Sequence, residues 1–101
     1  MGIHYMSKDQ KIFESDGRVI MQKILFYTKE HCSLCDDALG FLSMFQDDYT
    51  FDINIRDIHS KDEWLEQYQL LIPVIDINGE QLTCEQMSYE NIERLIKKHC
   101  K

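Results

Sequence analysis

Ile24-Leu25-Phe26-Tyr27-Thr28-Lys29-Glu30-His31-Cys32-Ser33-Leu34-Cys35 carries, in succession, an apolar run, a short polar turn and a C-x-x-C. A continuous apolar run is the pattern of a central strand buried on both faces, and residues 23 to 28 fit it. From about residue 33 to residue 46 the apolar positions recur at helical spacing instead, with Leu34, Ala38, Phe41, Leu42 and Phe45 in one stripe. Gly40 inside that stripe costs the helix about 1 kcal/mol relative to Ala. The two cysteines therefore fall at a strand-to-helix junction. Free backbone N–H groups and the positive end of the helix dipole favour thiolate over thiol there. Thiolate is the form that attacks disulfides. Cys35, one turn along, is placed to displace whatever Cys32 has captured. The stretch predicts a redox dithiol with Cys32 and Cys35 as its catalytic residues.

Downstream, residues 50 to 56 alternate strictly, Phe51, Ile53 and Ile55 against Asp52, Asn54 and Arg56, which predicts a half-buried strand near a sheet edge. Ser60-Lys61-Asp62-Glu63 has capping-box spacing and predicts a short helix with Trp64, Leu65 and Tyr68 facing inward. Pro73-Val74-Ile75-Asp76-Ile77 reads as a third strand. Asn78-Gly79 is the strongest hairpin signal in the chain and leads to a fourth strand from Glu80 to about Cys84. Ser88 can cap a last helix carrying Tyr89, Ile92, Leu95, Ile96 and His99 toward the sheet. Right-handed crossovers make the first two strands parallel and the hairpin makes the last two antiparallel. The expected fold is α/β, a four-stranded mixed sheet flanked by three helices in the order βαβαββα, which is the thioredoxin-type arrangement. Residues 1–20, polar and aperiodic, are expected to be a disordered extension, and residues 21–101 the domain.

A chain of 101 residues, 44% apolar, suffices for one core and one domain. Eleven Lys and Arg stand against 18 Asp and Glu, a formal charge of −7, with no basic run longer than Lys97-Lys98. That balance weighs against nucleic acid and anionic membrane as partners. No stretch approaches the roughly 20 apolar residues of a membrane span, and residues 1–20 lack the apolar core of a secretion signal. A cytoplasmic monomer is expected. Without a secretion signal, C-x-x-C reads better as catalytic or metal-binding than as a structural bridge. A zinc site needs four ligands, so His31, His59, Cys84 or Cys100 would have to converge from separate elements; no metal is expected. Cys84 and Cys100 read as small apolar residues, with Cys84 a third redox thiol only if its loop approaches Cys32.

Tyr27-Thr28-Lys29-Glu30-His31-Cys32-Ser33-Leu34-Cys35 resembles the active-site segment of glutaredoxins, and Leu71-Ile72-Pro73-Val74 resembles their strand-opening proline. The chain resembles more closely the small bacterial glutaredoxin-like proteins, matching a Cys-x-Leu-Cys segment, Asp57-Ile58, Tyr68 and Ile72-Pro73-Val74 over residues 23 to 98. The resemblance implies that Cys32 is the nucleophile and Cys35 the resolving thiol. It implies a cis bond before Pro73, a state found in about 5–6% of X–Pro bonds. It implies that Lys29 helps bind a glutathione carboxylate, and that Leu34, Ile72 and Pro73 form the surface that meets substrate. His31, when protonated, would favour the Cys32 thiolate, while Asp36 and Asp37 oppose it.

The implied activity is thiol–disulfide oxidoreduction on protein or low-molecular-weight disulfides, with an upstream reductant. No tightly bound cofactor is implied, and glutathione or another small thiol would be a co-substrate. The departures are Ser33-Leu34 for the usual Pro-Tyr, Leu71-Ile72-Pro73 for Thr-Val-Pro, and Thr83-Cys84-Glu85-Gln86 for the Gly-Gly-x-Asp that holds the glutamyl end of glutathione. The alternatives are an iron–sulfur or metal-binding carrier and a non-enzymatic redox-sensing adaptor.

Overall fold

The computed structural model describes residues 22–100, together with two short upstream strands, β1 (Ile12–Phe13) and β2 (Val19–Ile20), which pair antiparallel. The remainder of the extension expected over residues 1–20 lies outside the described residues, as do Met21 and Lys101.

The apolar run forms β3 (Gln22–Thr28) and the C-x-x-C opens α1 (Ser33–Phe45). Then come β4 (Phe51–Asp57), α2 (Asp62–Tyr68), β5 (Val74–Ile77), β6 (Glu80–Leu82) and α3 (Tyr89–His99). From β3 onward this is βαβαββα, as the periodicities predict. The sheet order is β4-β3-β5-β6, with β3 parallel to β4 and antiparallel to β5, and β5 antiparallel to β6. The β5–β6 hairpin turns on Asn78 (φ 56°) and Gly79 (φ 88°), the two positive φ values that a type I′ turn requires.

Alternation along β3 divides the core between the two faces of the sheet. Ile24 and Phe26 pack with Cys35, Ala38, Leu42 and Phe45 of α1 and with Ile92, Leu95 and Ile96 of α3. Tyr27 faces the other way, against Ile58, Tyr68 and Val74, and α2 covers that side with Trp64 and Leu65.

Local expectations fail where a side chain has a nearer partner. Ser60 does not cap α2, because its hydroxyl donates to the Asp57 carbonyl at 2.6 Å within a 3₁₀ turn, Ile58–Ser60. Asp57 caps that turn by accepting the His59 N–H at 2.9 Å, and α2 begins after Lys61 with no side-chain cap. The capping box forms instead at Thr83–Gln86. There Gln86 Oε1 accepts the Thr83 N–H at 3.0 Å, which ends β6 at Leu82, short of Cys84. Tyr89 turns to α1 rather than the sheet, its ring 5.0 Å from Phe45 and 5.6 Å from Phe41. His99 is half-buried and lies 3.0 Å from Glu80; that hydrogen bond first, and Lys98 second, hold the Glu80 carboxyl below its ordinary value.

Cys100 closes the chain side of the core at 1% exposure, and burial pushes its thiol up to about 11. The folded state then holds a proton that the unfolded chain releases from about pH 9 upward. This contribution is fully present below pH 9 and is lost as pH rises toward 11. The oxidised protein should lose stability across that window, at up to about 1.4 kcal/mol per pH unit for this one proton. Guanidinium melts of the parent and Cys100→Ala between pH 8 and about 11 should show a shallower decline in the variant; parallel declines would place the burden on other groups.

Candidate active site

Two strand ends define the site. β3 leaves the sheet at Thr28, and its register against β5 pairs Tyr27 with Val74. Continuing that register sets Thr28 opposite Pro73 and Lys29 opposite Ile72. The loop that enters β5 therefore meets the loop that carries the dithiol, at one end of the sheet.

Cys32 is the N-cap of α1, with extended backbone (φ −120°, ψ 104°), and its Sγ accepts the Cys35 N–H at 3.2 Å. Its carbonyl accepts the Asp36 N–H at 3.0 Å. Sulfur thus fills the place usually held by a Ser or Asp oxygen, on one of the unpaired donors of the helix start. A hydrogen bond of this kind stabilises the charged form of the acceptor. The two cysteines are disulfide-bonded, with Cα atoms 5.2 Å apart. They differ in access: Cys32 is half-buried at the rim of the core, whereas Cys35 is 1% exposed beneath it.

The other expected residues sit as follows. Lys29 is exposed and has no ion-pair partner among the described residues. His31 is also exposed, with φ 58°, a left-handed conformation that costs a non-glycine residue about 1–2 kcal/mol. That turn reverses the chain between strand and helix and delivers Cys32 to the cap. Leu34 is 42% exposed. Ile72 is half-buried and packs against both core clusters, its N–H donated to the Tyr68 carbonyl at 3.1 Å. The Ile72–Pro73 bond is cis, and Pro73 itself is fully buried, while Leu71 before it is 37% exposed. Cys84 is a free, partly exposed thiol, 3.9 Å from the Leu70 carbonyl.

The strained residue gives a test. His31→Val should cost about 1–2 kcal/mol, since a β-branched side chain tolerates φ near 60° poorly, while His31→Gly should be neutral or slightly stabilising. Denaturant midpoints check this, and an unchanged midpoint for the valine variant would contradict the observed turn.

One feature of this end of the molecule escaped the sequence. Tyr27 and Tyr68 stack at 4.1 Å, and Arg56 donates to the Tyr27 hydroxyl at 2.9 Å while lying 5.0 Å from the Trp64 ring. Burial first, and the Tyr68 hydrogen bond second, raise the Tyr27 hydroxyl above its ordinary value against the opposing pull of Arg56. The network ties α2, and with it the loop into Pro73, to the end of β3. Alternation marked Arg56 only as a solvated strand residue, and nothing local signals its aromatic partners.

A cleft of about 170 Å³ lined by Glu80, Leu82, Asn91, Arg94, Leu95 and Lys98 lies between β6 and α3; none of these residues is a cysteine. Among the described residues no group of three or more His, Cys, Asp or Glu is placed to hold a metal. No helix among them is long and apolar enough to cross a membrane.

A mixed sheet ordered β4-β3-β5-β6, a C-x-x-C capping the first helix and a cis X–Pro opening the adjacent strand define a thioredoxin-like fold with a dithiol site. Residues 23–97 match the Glutaredoxin-like domain (DUF836) family, and the chain belongs to that family.

Proposed function

We propose that the protein is a thiol–disulfide oxidoreductase that reduces protein or low-molecular-weight disulfides through Cys32 and Cys35. The observation that carries this reading is the bonded pair itself, with Cys32 Sγ accepting the Cys35 N–H at the start of α1. The difference in access supports the division of roles. Cys32, at the rim, meets a substrate sulfur; Cys35, beneath it, reaches only Cys32.

In the forward reaction the Cys32 thiolate attacks one sulfur of the substrate disulfide, forming a mixed disulfide and expelling a thiolate that takes a proton. Cys35, deprotonated, then attacks Cys32 Sγ. The intramolecular bond forms, the mixed disulfide breaks and the second substrate thiol leaves. Two electrons have passed to the substrate, and an upstream thiol reductant must return them. No resident cofactor is needed for these steps, and glutathione or another small thiol is the candidate co-substrate. The acidic charge supports a protein that works on neither nucleic acid nor anionic membrane, and in this reading it acts as a cytoplasmic monomer.

The test is equilibration in graded thiol/disulfide buffers, alkylation, and mass mapping of each cysteine, alongside the rate with a small neutral disulfide. A Cys32–Cys35 bond that forms between roughly −270 and −180 mV, with turnover, is the expected result. A bond without turnover would make the chain a redox-sensing adaptor. Thiols that stay reduced and instead hold iron–sulfur or another metal would make it a carrier.

A further inference from the structure

We propose that the disulfide reduced here belongs to a polypeptide whose flanking residues are apolar and cationic, and that glutathione disulfide is a poor substrate. The inference rests on the reductase reading above and specifies its substrate.

Exposed leucines occur on both segments that meet at the dithiol end of the sheet. Leu34 is 42% exposed in the first turn of α1, and Leu70 and Leu71 are 86% and 37% exposed in the loop that ends at Pro73. Scattered exposed leucines are ordinary on protein surfaces. Leu34 stands on the helix that the dithiol opens, and Leu70 and Leu71 on the loop into Pro73, which the β3–β5 register brings to the same end of the sheet. Exposed apolar ground at such a place marks a contact surface for another chain.

The charge around that ground is acidic. Glu30 is exposed on the dithiol loop, and Asp36 and Asp37 early in α1, with Asp36 one turn beyond Cys32. Glu85, also exposed, lies in a turn held to the Leu71 carbonyl by the Cys84 N–H at 2.9 Å. Against these carboxylates stands the ammonium of Lys29. Exposed charges a few ångströms apart interact by about 1 kcal/mol in water, so several together attract a Lys or Arg flank and repel the carboxylates of glutathione.

The backbone donors of the loop into Pro73 and of the turn at Thr83 are already used within the chain. Thr83 N–H goes to Gln86 Oε1 at 3.0 Å, Cys84 N–H to Leu71, and the N–H groups of Leu71 and Ile72 both go to Tyr68 O, at 2.8 and 3.1 Å. A carboxylate placed here would have to displace an existing bond. Recognition by these segments is left to side chains, and those on offer are the leucines and the carboxylates of Glu30, Asp36, Asp37 and Glu85, set against the Lys29 ammonium.

The step balances as above: the peptide S–S bond accepts two electrons and is released as two thiols, Cys32 and Cys35 close to the disulfide, and a dithiol reductant reopens them. The test measures reduction of four probes by the pre-reduced protein: bis(2-hydroxyethyl) disulfide, glutathione disulfide, and two disulfide-linked peptides of equal length, one flanked by Leu and Lys, the other by Ser and Asp. The Leu/Lys peptide should react about tenfold faster than the Ser/Asp peptide and glutathione disulfide, an advantage that shrinks when salt rises from about 0.05 to 1 M. Leu71→Ser should lower the Leu/Lys rate several-fold, and the panel on the unsubstituted protein decides the matter without it. If the neutral disulfide is reduced while the two peptides react alike, or glutathione disulfide reacts fastest, the substrate inference is overturned and the reductase reading stands. If no probe is reduced, both fall.

Discussion

Cys32→Ser should reduce no disulfide above the rate of uncatalysed thiol exchange, a loss on the order of 10³-fold or more, while Cys35→Ser should stall with substrate bonded to Cys32. A serine hydroxyl at the cap can still accept the Cys35 N–H, so α1 keeps its start and the variant loses chemistry rather than structure. In Cys35→Ser the attack at the rim is intact and the displacement from below is gone. Mass spectrometry of that variant after exposure to a disulfide should find one adduct, on Cys32. Cys100 is buried and Cys84, though partly exposed, is not a helix cap. A Cys32→Ser variant that turned over at the parent rate, or an adduct on Cys84, would sink the mechanism.

The sequence exposed the fold because its strongest signals are local and agree with one another. The apolar run before Cys32, the stripe from Leu34 to Phe45, the Asn78-Gly79 turn and the Ser88 cap each act within a few residues. Those four elements formed where the periodicities placed them. The cysteine pair and the proline were legible as a constellation only because the element order puts residues about forty positions apart at one sheet end.

What stayed hidden depends on competition between partners. Two segments carry capping-box spacing, Ser60–Glu63 and Thr83–Gln86, and spacing alone does not reveal that Asp57 draws Ser60 into a different turn. The Arg56–Tyr27–Tyr68 network joins β4, β3 and α2 through side chains that each look ordinary in their own element. The exposure of Leu70 and Leu71 was equally invisible. Pattern marks a leucine as apolar, and only the tertiary structure shows that nothing covers it.

Phe26→Ala should cost about 3–5 kcal/mol, whereas Ile55→Ala, its Cα partner across the β3–β4 ladder, should cost no more than about 0.5 kcal/mol. Both are apolar residues on the same face of adjacent strands. Phe26 is 1% exposed between the sheet and the helices α1 and α3, so truncation removes its transfer energy and leaves a cavity. Ile55 is 56% exposed on the edge strand, where the helical cover has ended. Burial falls along β4 from Phe51 through Ile53 to Ile55, although the alternation that marks all three is uniform. Denaturant melts of the oxidised proteins at constant m-value measure the two costs, and equal costs would mean that the edge of the sheet is covered in solution. The larger loss has a chemical readout as well. A domain is stable by only about 5–15 kcal/mol, so Phe26→Ala would populate opened states far more often. Cys35 and Cys100 share the Phe26 cluster, and in the reduced variant both thiols should alkylate faster by the factor that the melt predicts. Acceleration at Cys100 alone would place the opening at the end of α3, away from the start of α1.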